Sequence, residues 1–461
     1  MGDLSDLLLP SAFAVVAAPL VLGAVIAIVW FFIASSNKRI LGMAYVLMIF
    51  AFDLFTHYPR PYLNLGGLQA YPADILVLVL MVVVVLESFK RPLPLQGPLL
   101  LWLALGGLLF ASLTLGLSQY GKSAGTEARD YVYYWCVGLY ACTCDFDDGE
   151  MKKIAKWATW CAYGLIVIAI YRWVGLALGF VPRSFVLDIG ITSVFRALPS
   201  EAAFFLAAAA LVHGMAWLRG TGTPRSGLHA LIFAAIVLVL QHRSVWLATV
   251  AAGAYLLVQE RKHLPRQFPW LLGFVLVAGI GTGIAATFGY LDPLFDALDA
   301  SLSSVTASRS TVTDRMFGWE SLLDEWANSS TKTLLFGFPY GHGWHRFVDG
   351  KIAEYSPHNF YVDMLLRVGV VGLGLLVLAT LIALVYSLLG RVESESEYLQ
   401  IRGFGLILIA SVVYYVPYSA SYTHGAVTGL ALAQIMHRSR RRRRQAKFTN
   451  ARPTAYVKRS V

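Results

Sequence analysis

Charged residues are scarce in this chain: only 14% of its 461 residues are Asp, Glu, Lys or Arg. Soluble domains carry about 25% charged residues, so the composition excludes an ordinary water-soluble protein. Hydrophobic residues make up 57% of the chain, and apolar runs recur from one end to the other. The sequence therefore predicts an integral membrane protein. Because the N-terminus lacks the basic region and cleavage site of a signal peptide, we expect the first apolar run to stay in the mature protein.

Cysteine is also scarce, and the common motifs of nucleotide or metal chemistry are absent from the sequence. The sequence contains no Walker A loop, Rossmann glycine pattern, Ser-x-x-Lys or HExxH motif. The carboxylate run DFDD at 145–148 is interpreted as a solvated loop, and Asp53 is a candidate for a lone metal-binding carboxylate. We predict no metal site and no cofactor. The four cysteines lack zinc-site spacing and are expected to pack as small apolar residues; they are Cys136, Cys142, Cys144 and Cys161.

The apolar runs are long enough, or nearly so, to cross a bilayer as helices of about 17–25 residues. They predict an all-α polytopic fold with about 12–13 transmembrane helices. We divide the chain into an N-terminal bundle (1–290), a large outer loop (291–358), C-terminal helices (359–437) and a basic tail (438–461). The runs lie at residues 11–34, 40–56, 72–88, 98–117, 130–144, 157–180, 202–218, 228–241, 244–258, 270–290, 359–389, 403–419 and 423–437.

Basic residues give the orientation, because cytoplasmic connections of membrane proteins are enriched in Lys and Arg. Such residues fall in alternate connections, among them 38–39, 90–91 and 152–156, and again in the tail after Met436. This pattern places the N-terminus outside and these connections in the cytoplasm. The tail supplies much of the net charge of +10. We expect it to be disordered and to contact anionic lipid headgroups; no nucleic-acid-binding fold accompanies it.

The outer loop 291–358 is too long to be structureless in a compact protein. Its segment Arg315–Trp326 has apolar residues at helical spacing, which predicts an amphipathic helix on the outer membrane surface. The glycine-rich turn Gly337–Trp344 should then bring the chain back toward the bundle. The residues predicted on the apolar face are Met316, Trp319, Leu322, Leu323 and Trp326.

Three arginines are candidate ligands for an anionic substrate at the predicted outer face. Arg196 precedes an apolar run in FRALPSEAAFF, Arg243 lies between two runs in QHRSVWLA, and Arg315 is in the long loop. A guanidinium group matches phosphate oxygens through a planar fork, so two arginines facing one cavity would suit a diphosphate. The alternative is that each arginine reaches lipid headgroups or pairs with Glu201.

His358 and Asn359 form the fourth polar feature at this face, where SPHN enters an apolar run. An ionisable residue at such a boundary is a functional-site hypothesis by default. A histidine with an ordinary pKa near 6.5 can take a proton from a sugar hydroxyl, so His358 is a candidate general base. The alternative is an interfacial histidine that bonds a loop carbonyl. Asn359 is a candidate substrate ligand and also a candidate helix cap.

The order of these features resembles the O-antigen ligase and polysaccharide polymerase family of bacterial envelope glycosyltransferases. An arginine and a proline precede a mid-chain helix, and HRSVW joins two spans. A large outer loop follows, with the R-x-x-x-W element Arg315–Trp319 and a glycine-rich turn. Last comes HNFYVDMLLRVGVVGLG. The resemblance covers residues 190–390 best and reaches the first half only through hydropathy.

The resemblance implies a C-type membrane glycosyltransferase fold in the bacterial inner membrane, with its active site facing the periplasm. It implies glycan transfer from an undecaprenyl-diphosphate donor to an acceptor glycan or glycolipid, without a metal. The sequence leaves open whether the chain works alone or with polysaccharide chain-length regulators. Arg196 and Arg243 would hold the diphosphate, His358 would activate the acceptor hydroxyl, and Arg315 would shape the loop or bind substrate. Arg367 departs from the family pattern, and we expect it to pair with Asp363.

Two other functions remain open from the residues themselves. A transporter or flippase of lipid-linked oligosaccharide could also use arginines in a cavity. It predicts inverted repeats or helices interrupted at mid-membrane, and the sequence shows no clear repeat. A non-catalytic scaffold would leave unexplained why Arg196, Arg243 and His358 gather at one face.

Overall fold

The fold of the described residues is almost entirely helical, which confirms the predicted all-α class. The computed structural model describes residues 39–55, 62–65, 68–90, 95–181, 195–221, 224–289, 291–306, 311–348, 351–353 and 356–450. The predicted apolar run 11–34 and the last residues of the tail, 451–461, lie outside this part of the chain.

The N-terminal bundle contains nine described helices and one short antiparallel hairpin. The helices are α1 (Ile40–Phe55), α2 (Pro72–Lys90), α3 (Gly97–Tyr120), α4 (Lys122–Thr143), α5 (Asp148–Leu178), α6 (Ser200–Leu218), α7 (Pro224–Val239), α8 (Arg243–Gln259) and α9 (Leu264–Thr287). The hairpin strands are β1 (Leu63–Leu65) and β2 (Leu68–Ala70), with Asn64 opposite Gln69.

The long loop and the C-terminal part add six helices and a second hairpin to the described structure. The loop contains α10 (Asp292–Thr306), α11 (Thr311–Ala327), α12 (Thr331–Phe336), β3 (Arg346–Val348) and β4 (Lys351–Ala353). Three long helices follow: α13 (Phe360–Leu389), α14 (Glu395–Tyr414) and α15 (Tyr422–Asn450).

Six of the described helices are long and apolar enough to cross a membrane: α2, α3, α5, α6, α13 and α14. Two shorter apolar helices, α1 and the Arg225–Val239 part of α7, accompany them. Large apolar side chains such as Leu78, Trp160 and Val250 are exposed on the outside of the bundle. Because exposed apolar surface of this extent suits hydrocarbon and not water, the chain is a multi-pass membrane protein.

Two predicted segments differ from the structure because hydropathy detects only the apolar part of a helix. The segment 118–129 lies between the predicted runs 98–117 and 130–144, but α3 continues to Tyr120 and α4 begins at Lys122. Only Gly121, with φ of 62°, separates the two helices. The expected disorder of the tail is wrong for residues 438–450, which continue α15 as a helix. Arg, Gln, Ala and Lys are good helix formers, so a polar helix can extend beyond the bilayer.

Helix α4 lies at the centre of the core and packs closely against α15. Gly425 lies against the backbone of Tyr134, and Gly429 lies against the carbonyl of Gly138, so a Cβ at either glycine would overlap α4. Helices α3 and α4 are joined by Trp102 and Trp135, each of which donates its indole N–H to the other's backbone carbonyl, at 3.0 and 2.6 Å. These close contacts bury both indole donors with partners, as an apolar interior requires.

One end of the bundle, here named the Arg219 end, is held together by a charge network around the buried Glu260. Arg219 donates to Glu395 at 2.5 Å and to Glu260 at 3.1 Å. The hydroxyl of Tyr398 donates to Glu260 at 2.6 Å, and the Arg219 guanidinium lies 3.7 Å from the Tyr398 ring centroid. The network joins α6, α8 and α14. It lies at the end that positive-inside reasoning assigns to the cytoplasm.

The outer loop folds back onto the bundle through a break in α13. Gly369 has a non-helical backbone with φ of 64°, and a Cβ there would overlap the backbone of Leu335 at α12. Next to it, the Phe338 N–H donates to the Leu366 carbonyl at 2.6 Å. Tyr340 is fully buried, and its carbonyl lies against Gly116 of α3. The predicted return of the chain toward the bundle at 337–344 is therefore confirmed.

Helix α11 also forms where an amphipathic helix was predicted, and part of its predicted face packs on protein. Leu322 is buried, and Trp319 and Trp326 pack with it against Trp344 of the loop. Met316, in contrast, is 59% exposed. The apolar face of α11 thus packs on protein around Leu322, next to α13 and Trp344 of the loop.

We predict that Gly369→Ala destabilises the protein, while Gly374→Ala on the same helix does not. Alanine at position 369 would have to adopt a left-handed conformation and displace Leu335, at a cost of about 1–3 kcal/mol. Gly374 has open space around it. Thermal unfolding of both variants in detergent tests this, and equal midpoints would contradict the packing described at the break.

Candidate functional site

Three arginines from separate elements lie together at the end of the bundle opposite the Arg219 end. Arg196 precedes α6, Arg243 is the first residue of α8, and Arg315 is in α11. All three are half-buried, and the charges of Arg196 and Arg315 both act on Arg243. We name these three residues the arginine cluster. The sequence nominated each of them separately, and the fold brings them into one neighbourhood.

The first two arginines are held beside each other by a buried histidine. His242 is the N-cap residue of α8, and its Nε2 atom lies 2.8 Å from the carbonyl oxygen of Leu198. This contact joins the turn before α8 to the segment before α6, and both residues are buried. Arg196 is two residues before Leu198, and Arg243 directly follows His242. The contact between His242 and Leu198 therefore brings the two arginines close together.

Arg315 is fixed to the connection between α14 and α15. Its guanidinium donates to the Pro417 carbonyl at 3.0 Å and lies 5.4 Å from the ring centroid of Tyr418. Tyr418 stacks on Tyr414 at 5.1 Å, and the Tyr414 hydroxyl donates to the Ser200 hydroxyl at 3.0 Å. A chain of contacts therefore connects the loop helix to the start of α6. Tyr418 belongs to the site, although the sequence analysis did not nominate it.

His358 lies beside this cluster in a left-handed conformation, with φ of 52°. Such a conformation is uncommon outside glycine and marks a position determined by its surroundings. The Trp319 indole donates to the Pro357 carbonyl at 2.8 Å, which holds the preceding residue. Although His358 keeps exposed surface, partial desolvation and then the charges of Arg315 and Arg346 lower its pKa to about 4. Its imidazole is therefore neutral at pH 7.

Arg346 is a second residue of this region that the sequence analysis missed. It is 1% exposed, and its guanidinium donates to the Ser356 carbonyl at 3.2 Å. Its charge acts on His358. The only signal in the sequence was its position directly after the glycine-rich turn, and an arginine in a long polar loop gives no sign of being buried.

Asn359 is the N-cap residue of α13. Its side-chain oxygen accepts from the backbone N–H groups of Tyr361 at 3.0 Å and Val362 at 3.1 Å. Caps of this kind stabilise a helix by about 1 kcal/mol. The structure thus places Asn359 in the capping role, and its oxygen is occupied.

The expected pairing of Arg367 with Asp363 is wrong. Arg367 instead forms a buried ion pair with Glu127 of α4 and donates to the Gly343 carbonyl at 2.6 Å. Its guanidinium also lies 3.9 Å from the ring centroid of Trp344. Asp363 accepts from the Ser419 hydroxyl at 2.9 Å. Helical spacing alone favoured the local pair, but a carboxylate on a neighbouring helix makes the ion pair in the folded protein.

A small polar cleft opens at the same end of the bundle. It adjoins the arginine cluster because both use the start of α6 and the connection before α15. Within the described residues, no group of three or more His, Cys, Asp or Glu side chains is placed to hold a metal ion. Asp53, the candidate metal ligand, accepts from the Tyr422 hydroxyl at 3.2 Å. Residues lining the cleft include Asp53, Arg129, Asp130, Tyr133, Glu201 and Tyr422.

Comparison with known proteins gives no family for this chain: it matches no protein-family model and no curated protein. The resemblance to envelope glycosyltransferases therefore depends on the sequence motifs alone, and the function has to be argued from the site. Chemically, the site combines three cations, a neutral imidazole and an adjoining cleft with carboxylates, an arrangement suited to a ligand with an anionic part and a hydroxylated part.

We predict that His358 makes folding stability depend on pH between about 4 and 6.5. Its folded pKa of about 4 lies below its ordinary value of 6.5, so in this range the unfolded chain binds the proton more readily. Stability from this residue is thus present above pH 6.5 and lost as the pH falls toward 4. Thermal unfolding at pH 7 and pH 4.5 should show a smaller difference for His358→Gln than for the wild type.

Arg315→Gln provides the matched control for this prediction. It removes one of the charges that lower the His358 pKa, so the pKa should rise and the pH dependence should shrink without loss of the histidine. An unchanged pH dependence in both variants would show that His358 is not the titrating group.

Proposed function

We propose that the protein transfers glycan from an undecaprenyl-diphosphate donor to a sugar hydroxyl of an acceptor glycan or glycolipid, as a ligase or polymerase of the bacterial inner membrane. The observation that carries this proposal is the convergence of Arg196, Arg243 and Arg315 beside His358. The reaction requires a site for a lipid-linked diphosphate next to a site for a water-soluble sugar. An end of the bundle lies at the membrane surface, where a lipid-linked substrate and a water-soluble one can both reach it.

The arginine cluster is proposed to bind the donor diphosphate. Like charges in a partly dehydrated site repel one another, and an anion with several oxygens removes this repulsion. The planar guanidinium can form two parallel hydrogen bonds to phosphate oxygens. As the bond between the anomeric carbon and the diphosphate breaks, negative charge develops on the leaving group, and the same arginines stabilise it.

His358 is proposed to accept the proton of the attacking hydroxyl. The acceptor oxygen bonds to the anomeric carbon, the diphosphate leaves with the electron pair of the broken bond, and the proton passes to the imidazole. Direct attack inverts the anomeric centre. With a pKa of about 4 in the substrate-free protein, His358 is a weak base. A bound diphosphate counteracts the charges of Arg315 and Arg346, which raises the pKa and strengthens the base only when donor is present.

The polar cleft is proposed to receive the acceptor. Carboxylates and tyrosine hydroxyls hydrogen-bond well to sugar hydroxyls, and Glu201 lies in the same short segment as Arg196. With Asp53, Asp130 and Glu201 against Arg129, the charged lining of the cleft is net negative. An uncharged or amino-bearing acceptor sugar therefore fits better than an acidic one.

Orientation and partners follow from the same proposal. The arginine cluster lies at the end opposite the Arg219 end, so the positive-inside prediction directs the site to the periplasm. The helical, arginine-rich extension of α15 then lies in the cytoplasm near anionic headgroups. Polymerase activity would add polysaccharide chain-length regulators as partners.

A flippase of lipid-linked oligosaccharide is the second candidate, and one observation favours it. Helix α13 is interrupted at Gly369, and interrupted helices are typical of transporter substrate sites. The break packs against the backbone of Leu335, however, and the sequence shows no internal repeat. Glycosyl transfer uses a general base such as the neighbouring His358, whereas transport alone requires none.

We predict that purified protein transfers glycan from undecaprenyl-diphosphate glycan to an acceptor with EDTA present. Arg243→Lys should lower the transfer rate because lysine keeps the charge but loses the two-pronged contact with phosphate. His358→Ala should lower it about 100-fold or more, the usual contribution of a general base. Arg261→Ala, an exposed site at the Arg219 end, serves as the control and should transfer normally.

The same preparations distinguish the competing functions. Unchanged transfer in Arg243→Lys and His358→Ala, with folding intact, would remove these residues from the site. If transfer is absent in every preparation but labelled lipid-linked glycan crosses reconstituted vesicles, the flippase function replaces this proposal.

A further inference from the structure

Gln241 is strained and buried in a way that its local structure does not explain. It lies in the turn between α7 and α8 with φ of 54°, a left-handed conformation that is rare outside glycine. Its side chain has no exposed surface. Within the described part of the chain, neither the nitrogen nor the oxygen of its amide has a hydrogen-bond partner. Both features are unfavourable, and such costs persist where a functional site requires them.

The unused hydrogen-bonding capacity of Gln241 lies next to the arginine cluster. Gln241 is two residues before Arg243 and directly before His242, which joins this turn to Leu198. On the adjoining segment, Arg196 Nε is likewise buried without a hydrogen-bond partner among the described residues. The N-terminus of the 17-residue helix α8 lies at the same point and favours negative charge.

The types of the unused groups indicate the chemistry of the missing ligand. A diphosphate offers only acceptors, so it can receive hydrogen bonds from Arg196 Nε and from the amide nitrogen of Gln241. It cannot satisfy the amide oxygen of Gln241, which needs a donor. The ligand must therefore carry an O–H or N–H group close to its phosphates. In a lipid-linked glycan, that group is found on the sugar attached directly to the diphosphate.

We infer that Gln241 recognises the junction between the diphosphate and the first sugar of the donor, with its amide nitrogen on a phosphate oxygen and its amide oxygen on a hydroxyl or amide N–H of that sugar. The inference rests on the proposed function and adds a specificity-determining residue to it. Because the Gln241 side chain is enclosed in the substrate-free protein, it changes rotamer to reach the donor, while the contact of His242 with Leu198 stays in place.

The test compares two probes, undecaprenyl diphosphate and undecaprenyl-diphosphate N-acetylglucosamine, on the full-length protein in detergent. Wild type should bind the sugar-bearing lipid more tightly. Gln241→Met has a similar shape and removes both orphaned polar atoms, so its thermal midpoint should stay the same or rise. It should weaken binding of the sugar-bearing lipid about tenfold or more, and binding of the bare diphosphate much less.

Gln267→Met is the matched control. Gln267 is also buried, but its amide nitrogen donates to the Trp217 carbonyl at 3.1 Å, toward the Arg219 end. This variant should lower the thermal midpoint and leave the affinity for both lipids unchanged. It thus separates loss of a buried glutamine from loss of donor recognition.

Failure of the inference is distinguishable from failure of the proposed function. Wild type that binds neither lipid contradicts the donor class, and with it the function. Wild type that binds both lipids equally, or a Gln241→Met variant with unchanged affinity for the sugar-bearing lipid, overturns only the role of Gln241. A large fall in thermal midpoint together with loss of both lipids would assign Gln241 a structural role and also overturn the inference.

Discussion

The buried ion pair between Arg367 and Glu127 determines how the outer loop meets the membrane bundle. It joins α13 to α4, and its two residues also bind the glycine-rich turn: the Gly341 N–H donates to Glu127 at 2.9 Å and Arg367 donates to the Gly343 carbonyl. Removal of one member of such a pair leaves an uncompensated buried charge and costs about 3–5 kcal/mol. With the turn held there, α11 has a surface to pack on, and Arg315 reaches the bundle end.

Charged side chains are arranged differently at the two ends of the bundle. At the Arg219 end, the buried carboxylate of Glu260 meets the opposite charge of Arg219 and the hydroxyl of Tyr398. At the other end, like charges gather at the arginine cluster, and Gln241 keeps both amide atoms without described partners. An apolar environment makes the first arrangement stabilising and the second costly. This contrast is why we place a binding site at one end and a structural network at the other.

Sequence reasoning succeeded where a single local property decides the outcome. Twelve of the apolar runs found by hydropathy lie in the described part of the chain, and each coincides with a helix. The spacing of Trp319, Leu322 and Trp326 predicted that they share one face of a helix. It failed where distant segments compete. Arg367 had a carboxylate one helical turn away, yet it pairs with Glu127, which is 240 positions distant in the chain.

Hydropathy along the chain is enough to identify a helical membrane protein and the residue types available for chemistry, because burial of apolar side chains in lipid and the cost of charge there act residue by residue. The gathering of Arg196, Arg243 and Arg315 beside His358 comes from the tertiary fold, and so does the lowered pKa of this histidine. The left-handed turn of Gln241, and its amide without a partner among the described residues, also exist only in the fold. These properties depend on distances between segments far apart in sequence, and no local pattern encodes such distances.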